Sequence, residues 1–320
     1  MRLEDTVHGS LNEMYKPVAP VFKYIASLLF SFLLVASCTT KQETESVKQH
    51  PSIDSFTVLC DPSWESILRT FIVTYEGLNP TRKVNLLVKP ESECIADLIN
   101  SRYNTVFVSR DFTEQEMNLL KQKQWRVNND TLCYDGIAWI APKSFPQDSL
   151  SVNDIKQLFQ TGKLNGIAYS LQLNSSGSSI ANYLTGYFGV PPSTVHIYTG
   201  GSDEQIINSV AQHTQSLAGI SSGWLVNLED KKHRAYLASI KIVKVIDTKS
   251  NVAFSPFQND LALNSYPFKR VLRVLNNDAN AGLGTAFASF LIGNRGQRVF
   301  LKAGLLPFKM PAREIEFKLK

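Results

Sequence analysis

From Phe56 onward the chain alternates short apolar runs with stretches whose apolar residues recur every three or four positions. Phe56-Thr57-Val58-Leu59-Cys60 reads as a buried strand, and Trp64, Ile67, Leu68, Phe71, Ile72 and Tyr75 then fall on one helical face. Between them, Asp61 before Pro62 fits an N-cap followed by a first-turn proline, and Asn79-Pro80 stops the helix. Val84 to Val88 predicts the next strand, Cys94, Ile95, Leu98 and Ile99 a short helix, and Thr105 to Val108 another strand. Thr113 and Glu116 have the spacing of a capping box for a helix through Leu120. This alternation predicts an α/β fold with mostly parallel strands.

A second set begins at Gly136-Ile137-Ala138-Trp139-Ile140-Ala141 and continues with a helix carrying Ile155, Leu158 and Phe159 that ends at Thr161-Gly162. A Ser178–Tyr187 helix, a helix capped by Ser202 and Gln205, a strand around Leu217–Ile220 and the β-branched run Ile240–Ile246 follow. Ala286, Phe287, Phe290 and Leu291, then Val299, Phe300 and Leu301, predict two closing helices. No internal repeat appears. Two α/β sets predict two lobes, with a ligand where strand-end loops face a central cleft.

Ahead of these elements, Lys16 and Lys23 precede an apolar run from Tyr24 to Ala36 that ends in Val35-Ala36-Ser37-Cys38. Small residues before a cysteine are what a lipoprotein signal peptidase accepts, so residues 1–37 are expected to be a removable signal and Cys38 the lipid-bearing residue. The run falls short of the roughly 20 apolar residues of a membrane-spanning helix. Glu4, Asp5 and Glu13 suit a signal poorly, which nominates Met14 as the true start. Residues 38–52 are polar and read as a flexible tether.

Composition changes the picture only modestly. At 43% hydrophobic residues the 320-residue chain can bury a core, and 33 Lys+Arg against 28 Asp+Glu give a net charge of +5. No basic block interleaved with aromatics occurs, so nucleic acid is not expected as a partner. Cys60, Cys94 and Cys133 show no C-x-x-C spacing and read as small buried residues. His8, His50, His196, His213 and His233 are scattered, so neither a metal site nor a cofactor is expected. Gly219-Ile220-Ser221-Ser222-Gly223 matches the G-x-S-x-G of a hydrolase nucleophile elbow, but Asp230 and His233 follow too closely together to come from separate strand ends. A serine hydrolase using Ser221 is therefore the weaker alternative, and no enzyme is expected.

Several segments together resemble the phosphate-type periplasmic solute-binding proteins of ABC importers, especially a lipoprotein branch common in Bacteroidetes. They are Cys60-Asp61-Pro62-Ser63, Val108-Ser109-Arg110-Asp111-Phe112-Thr113, Gly136–Ile140 and Ile155–Gly162. Asn174-Ser175-Ser176-Gly177-Ser178-Ser179, Ala218–Trp224, Tyr266-Pro267-Phe268-Lys269-Arg270 and Gly296–Pro307 continue the series. The resemblance implies a type II periplasmic-binding-protein fold, an oxyanion ligand, most simply phosphate, permease subunits as partners, and a location in the cell envelope facing the periplasm or outside. A monomer is expected. Within that frame lobe 1 comprises residues 53–137 and 247–320 and lobe 2 residues 138–246, with the crossovers near Ile137 and Ile246.

The loops so marked have suitable chemistry. Ser63 stands at a helix mouth, where free N–H groups and the dipole favour an anion. Ser175, Ser176, Gly177 and Ser178 repeat the arrangement in the other lobe, and the same serines also serve as helix caps. Ser109, Arg110 and Asp111 add a forked cation and a carboxylate; Asp61 or Asp111 could accept the proton of a protonated oxyanion and so favour phosphate over sulfate. One departure from the family stands out: Leu171-Gln172-Leu173 lacks the arginine that precedes the serine-rich turn, and Arg110 is the nominated replacement. A binding-protein-like sensor or scaffold that has lost transport is the alternative this departure motivates.

Overall fold

The computed structural model describes residues 54–226 and 231–311, apart from the side chains of Lys232 and His233. The expected signal peptide, Met14 start, Cys38 and tether lie outside the described residues, as does Asp230. Strand alternation builds the first half. In β1 (Asp54–Cys60), Val58 and Cys60 face one apolar cluster and Leu59 the other. Helix α1 (Glu65–Leu78) covers the first face with Ile67, Leu68, Phe71 and Tyr75. After β2 (Arg82–Val88), helix α2 (Glu91–Ile99) covers the second with Cys94, Ile95 and Leu98. In β3 (Thr105–Val108), Phe107 joins the first cluster and its two neighbours the second. Helix α3 (Glu114–Gln122) starts with the expected reciprocal capping box between Thr113 and Glu116.

Strand β4 (Asn128–Pro142) is much longer than expected and belongs to both halves. The second half is built from β5 (Ser149–Ser151), α4 (Val152–Thr161), the small hairpin β6 (Lys163–Leu164) and β7 (Ile167–Ala168), and β8 (Ser170–Leu173). It continues through α5 (Ser179–Phe188), β9 (Tyr198–Thr199), α6 (Asp203–Gln212), β10 (Ser216–Ser221), α7 (Lys231–Ser239) and β11 (Ile240–Ile246). Trp139, Leu171, Leu217 and Val243 pack on α4 and α5 through Leu158, Phe159 and Leu184, while Ala138, Ile140 and Ile220 pack on α6 through Ile206 and Val210. Gly162 ends α4 with φ +66°, a conformation that favours glycine.

The return to the first half passes through β12 (Ala253–Phe254), α8 (Gln258–Ala262) and β13 (Lys269–Asn276), then α9 (Leu283–Ile292), α10 (Asn294–Lys302) and β14 (Leu306–Pro307). Phe287 and Phe300 close the first cluster, with Phe300 4.4 Å from Phe71 and Phe287 5.1 Å from Tyr75 between ring centroids. Truncating one such ring would cost about 3–5 kcal/mol.

Two expectations change. The strands form a path β2-β1-β3-β13-β4-β10-β8-β9 in which β1–β2, β1–β3, β8–β10 and β8–β9 are parallel, but every pairing of β4 and β13 is antiparallel. The sheet is mixed because these two strands are inserted between the parallel sets. The second crossing also differs from the expected Ile246, which is paired with Ser151 and Ala253 inside the second half. Leu261, Tyr266 and Phe268 stay in that half's apolar cluster, and the chain leaves at β13, whose partners are β3 and the first part of β4. The two crossings are adjacent: Ile137 N donates to Phe268 O at 3.0 Å and Tyr266 Oη donates to Ile137 O.

Candidate functional site

The carboxyl ends of β1, β2 and β3 bring three loops to one edge of the first half, and the start of α5 meets them from the second. At their meeting point lies the buried carboxylate of Asp61. Its Oδ1 accepts from Ser63 N at 3.0 Å, Ser63 Oγ at 2.6 Å and Ser179 Oγ at 2.7 Å. Its Oδ2 accepts from Ser179 N at 2.8 Å and from Glu91 N at 3.2 Å. Two of these amides belong to the first turns of α2 and α5, whose unpaired N–H groups and dipoles favour negative charge. Pro62–Trp64 forms a separate 3-10 turn before α1, so Ser63 lies in that turn, with Asp61 as its N-cap.

Arg270 supplies the cation. Its Nη1 donates to Ser179 Oγ at 2.8 Å and to Ser63 Oγ at 3.3 Å, and its Nη2 to Asp135 Oδ2 at 2.6 Å. The guanidinium carbon stands 4.8 Å from the centre of the Trp64 ring, a cation–π distance, and the residue is buried. Asp135 Oδ1 in turn accepts from Ser222 N at 3.1 Å and Ser222 Oγ at 2.5 Å. Ser63 and Ser179 hydroxyls are 2.7 Å apart, and with one proton each they serve two of the three available donor directions at any moment.

Glu91 is a second captured carboxylate. Its Oε1 accepts from Ser109 N at 2.6 Å and Arg110 N at 3.0 Å, and its Oε2 from Asn182 Nδ2 at 2.8 Å. Burial pushes its carboxyl above the ordinary range and the charge of Asp61 adds to this, while the bonds from Asn182, Ser109 and Arg110 oppose it.

The sequence-nominated residues are therefore distributed as follows. Asp61 and Ser63 are at the centre. Ser109 accepts from Trp64 Nε1 at 3.0 Å and its amide holds Glu91. Arg110 forks onto Glu116 at 2.7 and 2.8 Å and reaches Glu91 only at 3.9 Å, so its charge is engaged outside the centre. Asp111 is exposed and accepts from Asn129 Nδ2 and its neighbour Phe112 N. Ser178 caps α5, accepting from Ala181 N and donating to Ser175 O; Ser175 Oγ is buried without a partner among the described residues, and Ser176 is exposed. Gly177 lies against α2, where an added Cβ would meet Ser92 Oγ at 2.7 Å, and its carbonyl accepts from Ser92 N at 3.4 Å.

Sequence reasoning missed Glu91, Asp135, Asn182, Ser222 and Arg270 as site residues, and named Ser179 only within its turn. The signal for Arg270 is strand phase: in β13 the buried positions alternate, and Arg270 occupies one shared with Leu272 and Val274. Asp135 sits likewise among buried neighbours of β4. Gln172 donates to Ser209 Oγ and Ser216 Oγ, away from this cluster.

The hydrolase reading gains nothing in geometry. Ser221 caps the turn Ser222–Trp224, accepting from Gly223 N at 3.2 Å, and it is Ser222 that meets Asp135. Cys60, Cys94 and Cys133 are buried and free, and burial pushes their thiols well above the ordinary range. No cluster of His, Cys, Asp and Glu suited to a metal occurs among the described residues. An open concavity of about 770 Å³ involves Tyr134, Tyr187, Tyr266 and Lys269. Lys269 and Arg270 point to opposite faces of β13, so it lies away from the donor cluster.

A family model described as a PBP superfamily domain matches residues 45–295. A putative phosphate ABC transporter substrate-binding protein from Clostridium perfringens, solved with bound phosphate, superposes with a TM-score of 0.66 at 17% identity, over 80% of this chain and 100% of that one. An ABC-type phosphate transport receptor from Vibrio cholerae gives 0.58 at 18% identity, over 79% and 100%. A possible phosphate binding protein from Planctomyces limnophilus gives 0.55 at 15%, over 80% and 93%. No curated protein matches the chain. With a family match over most of its length and these fold relatives, the chain belongs to the PBP superfamily and has the type II periplasmic-binding-protein fold.

Proposed function

We propose that this protein is the substrate-binding lipoprotein of an ABC importer, anchored through Cys38 at the cell envelope, and that it receives an inorganic oxyanion, phosphate in the first instance, between its two lobes. The observation that carries the reading is convergence. The amides of Ser63, Glu91 and Ser179 and the hydroxyls of Ser63 and Ser179 all address the position of one carboxylate, with Arg270 directly behind the hydroxyls. Such donors suit any compact oxyanion in a site closed to water. The phosphate receptors among the fold relatives support the ligand class, and their transporters support permease subunits as partners.

Function then follows from differential affinity. The ligand's contacts to Ser63 on one lobe and Ser179 on the other exist together only when the lobes are closed, so a bound anion holds the lobes in the closed form that a permease would receive. No covalent step is needed. A second reading, an envelope sensor or scaffold without transport, is favoured by the same carboxylate: the donors are already satisfied by Asp61. Titration calorimetry of the chain, stripped of anions by unfolding and refolding, separates the two. Micromolar or tighter phosphate binding not reproduced by sulfate is expected for the receptor; no heat with either anion would contradict it.

A further inference from the structure

We infer that Asp61 is a tethered surrogate for the ligand: its carboxylate occupies the oxyanion position, latches the lobes together without a ligand, and must be displaced before an anion can enter. The inference rests on the receptor reading of this site and adds its regulation and selectivity.

Asp61 is carried by the first half, at the end of β1, yet two of its five hydrogen bonds come from Ser179 at the start of α5 in the second. Glu91 to Asn182 at 2.8 Å and Ser92 N to Gly177 O at 3.4 Å tie the same two surfaces. Asp61, Ser63 and Ser179 are at most 2% exposed, so the latched form leaves no solvent-filled space at the donors. A bound oxyanion and the Asp61 carboxylate cannot use the same amides of Glu91 and Ser179 together.

Charge gives the same answer. Arg270 faces Asp135 directly and Asp61 through the Ser63 and Ser179 hydroxyls, Glu91 lies beside them, and Arg110 is engaged by Glu116, so adding an anion to the latched site concentrates negative charge in a dry environment. Rotating Asp61 outward removes one carboxylate and frees every donor it holds. Arg270 Nε, buried without a partner among the described residues, provides a further donor for an oxygen that the carboxylate does not reach. The entering group is thus an oxyanion that outcompetes an intramolecular carboxylate, whose effective concentration is high because it is tethered. Apparent affinity is reduced by the fraction of molecules that are unlatched.

The test uses the full chain and inorganic phosphate, with Asp61→Ala and the near-isosteric Asp61→Asn, in case the former folds poorly. Affinity is read by calorimetry, and hydrogen exchange at the amides of Glu91 and Ser179 reports the latch. Expected results are slow exchange in the ligand-free native chain, exchange at least tenfold faster in either variant, and phosphate binding at least tenfold tighter in the variants. Fast exchange in the variants without phosphate binding in any chain would keep the latch and overturn the receptor reading. Weaker phosphate binding in both variants would overturn the latch and make Asp61 a ligand contact instead. Exchange unchanged by either substitution would overturn the latch whatever the affinity.

Discussion

Arg270 Nη2 lies 2.6 Å from Asp135 Oδ2, and both side chains are fully withdrawn from solvent. The pair joins the two crossing strands, β13 and β4, directly beneath the donor cluster. Removing one partner leaves an uncompensated buried charge, which costs about 3–5 kcal/mol. Arg270→Leu should therefore lower unfolding free energy by that amount in denaturant titrations. Combining it with Asp135→Leu should recover a substantial part of the loss, since the pair is absent from both sides.

Ser178 and Ser179 are neighbours with different tasks. Ser178→Ala removes a helix cap and should cost about 1 kcal/mol in stability while leaving phosphate affinity within twofold. Ser179→Ala removes a hydroxyl that faces Asp61 and Arg270 and should weaken phosphate binding at least tenfold. Calorimetry beside thermal unfolding distinguishes them; equal effects on affinity would contradict the assignment.

Stability should fall as pH rises through neutrality. Burial raises the Asp203 carboxyl from 3.8 to about 7; the bond from Asn174 opposes this, the charge of Asp61 adds to it, Arg270 opposes it and Asp135 adds to it. A folded-state value above the unfolded one means the folded chain holds the proton more tightly. The stability it brings is fully present below about pH 4 and is lost as pH passes through about 7, by roughly 2–4 kcal/mol. The raised Glu91 carboxyl has the same sign. Asp203→Asn should flatten the dependence measured by urea unfolding between pH 5 and 8.

At Gly136, in the first crossing, an added Cβ would stand 2.7 Å from the Pro256 carbonyl oxygen and 2.9 Å from its Cβ. Backbone must move to admit it, so Gly136→Ala should destabilise by about 1–3 kcal/mol in the same unfolding assay.

Local physics made most of the fold legible. The strand Thr105–Val108, the capping boxes at Thr113 and Ser202, and the left-handed Gly162 are short-range features, decided by residues close in sequence. The crossing strands were harder. Lys-Arg-Val-Leu-Arg-Val-Leu-Asn carries charges at alternating and out-of-phase positions, which obscures β13, and the buried phase of Arg270 makes sense only once Asp135 and Ser63 stand beside it. The site followed the same rule. Asp61 and Ser63 were legible because a turn before a helix is local, whereas the carboxylate of Glu91, meeting Ser109 and Asn182 from distant segments, left no short-range trace. Arg110 was nominated because a cation was missing near Gln172; strand phase in β13, rather than loop position, identifies the cation that faces the donors.

The most direct test of the site is a crystal structure of the chain grown with arsenate, a tetrahedral oxyanion whose arsenic gives an anomalous signal. The account predicts a peak within hydrogen-bonding reach of Ser63 Oγ, the Ser179 amide and Arg270, with the Asp61 carboxylate turned away from that position. A peak elsewhere, or none at the donors while Asp61 keeps all its present bonds, would contradict it.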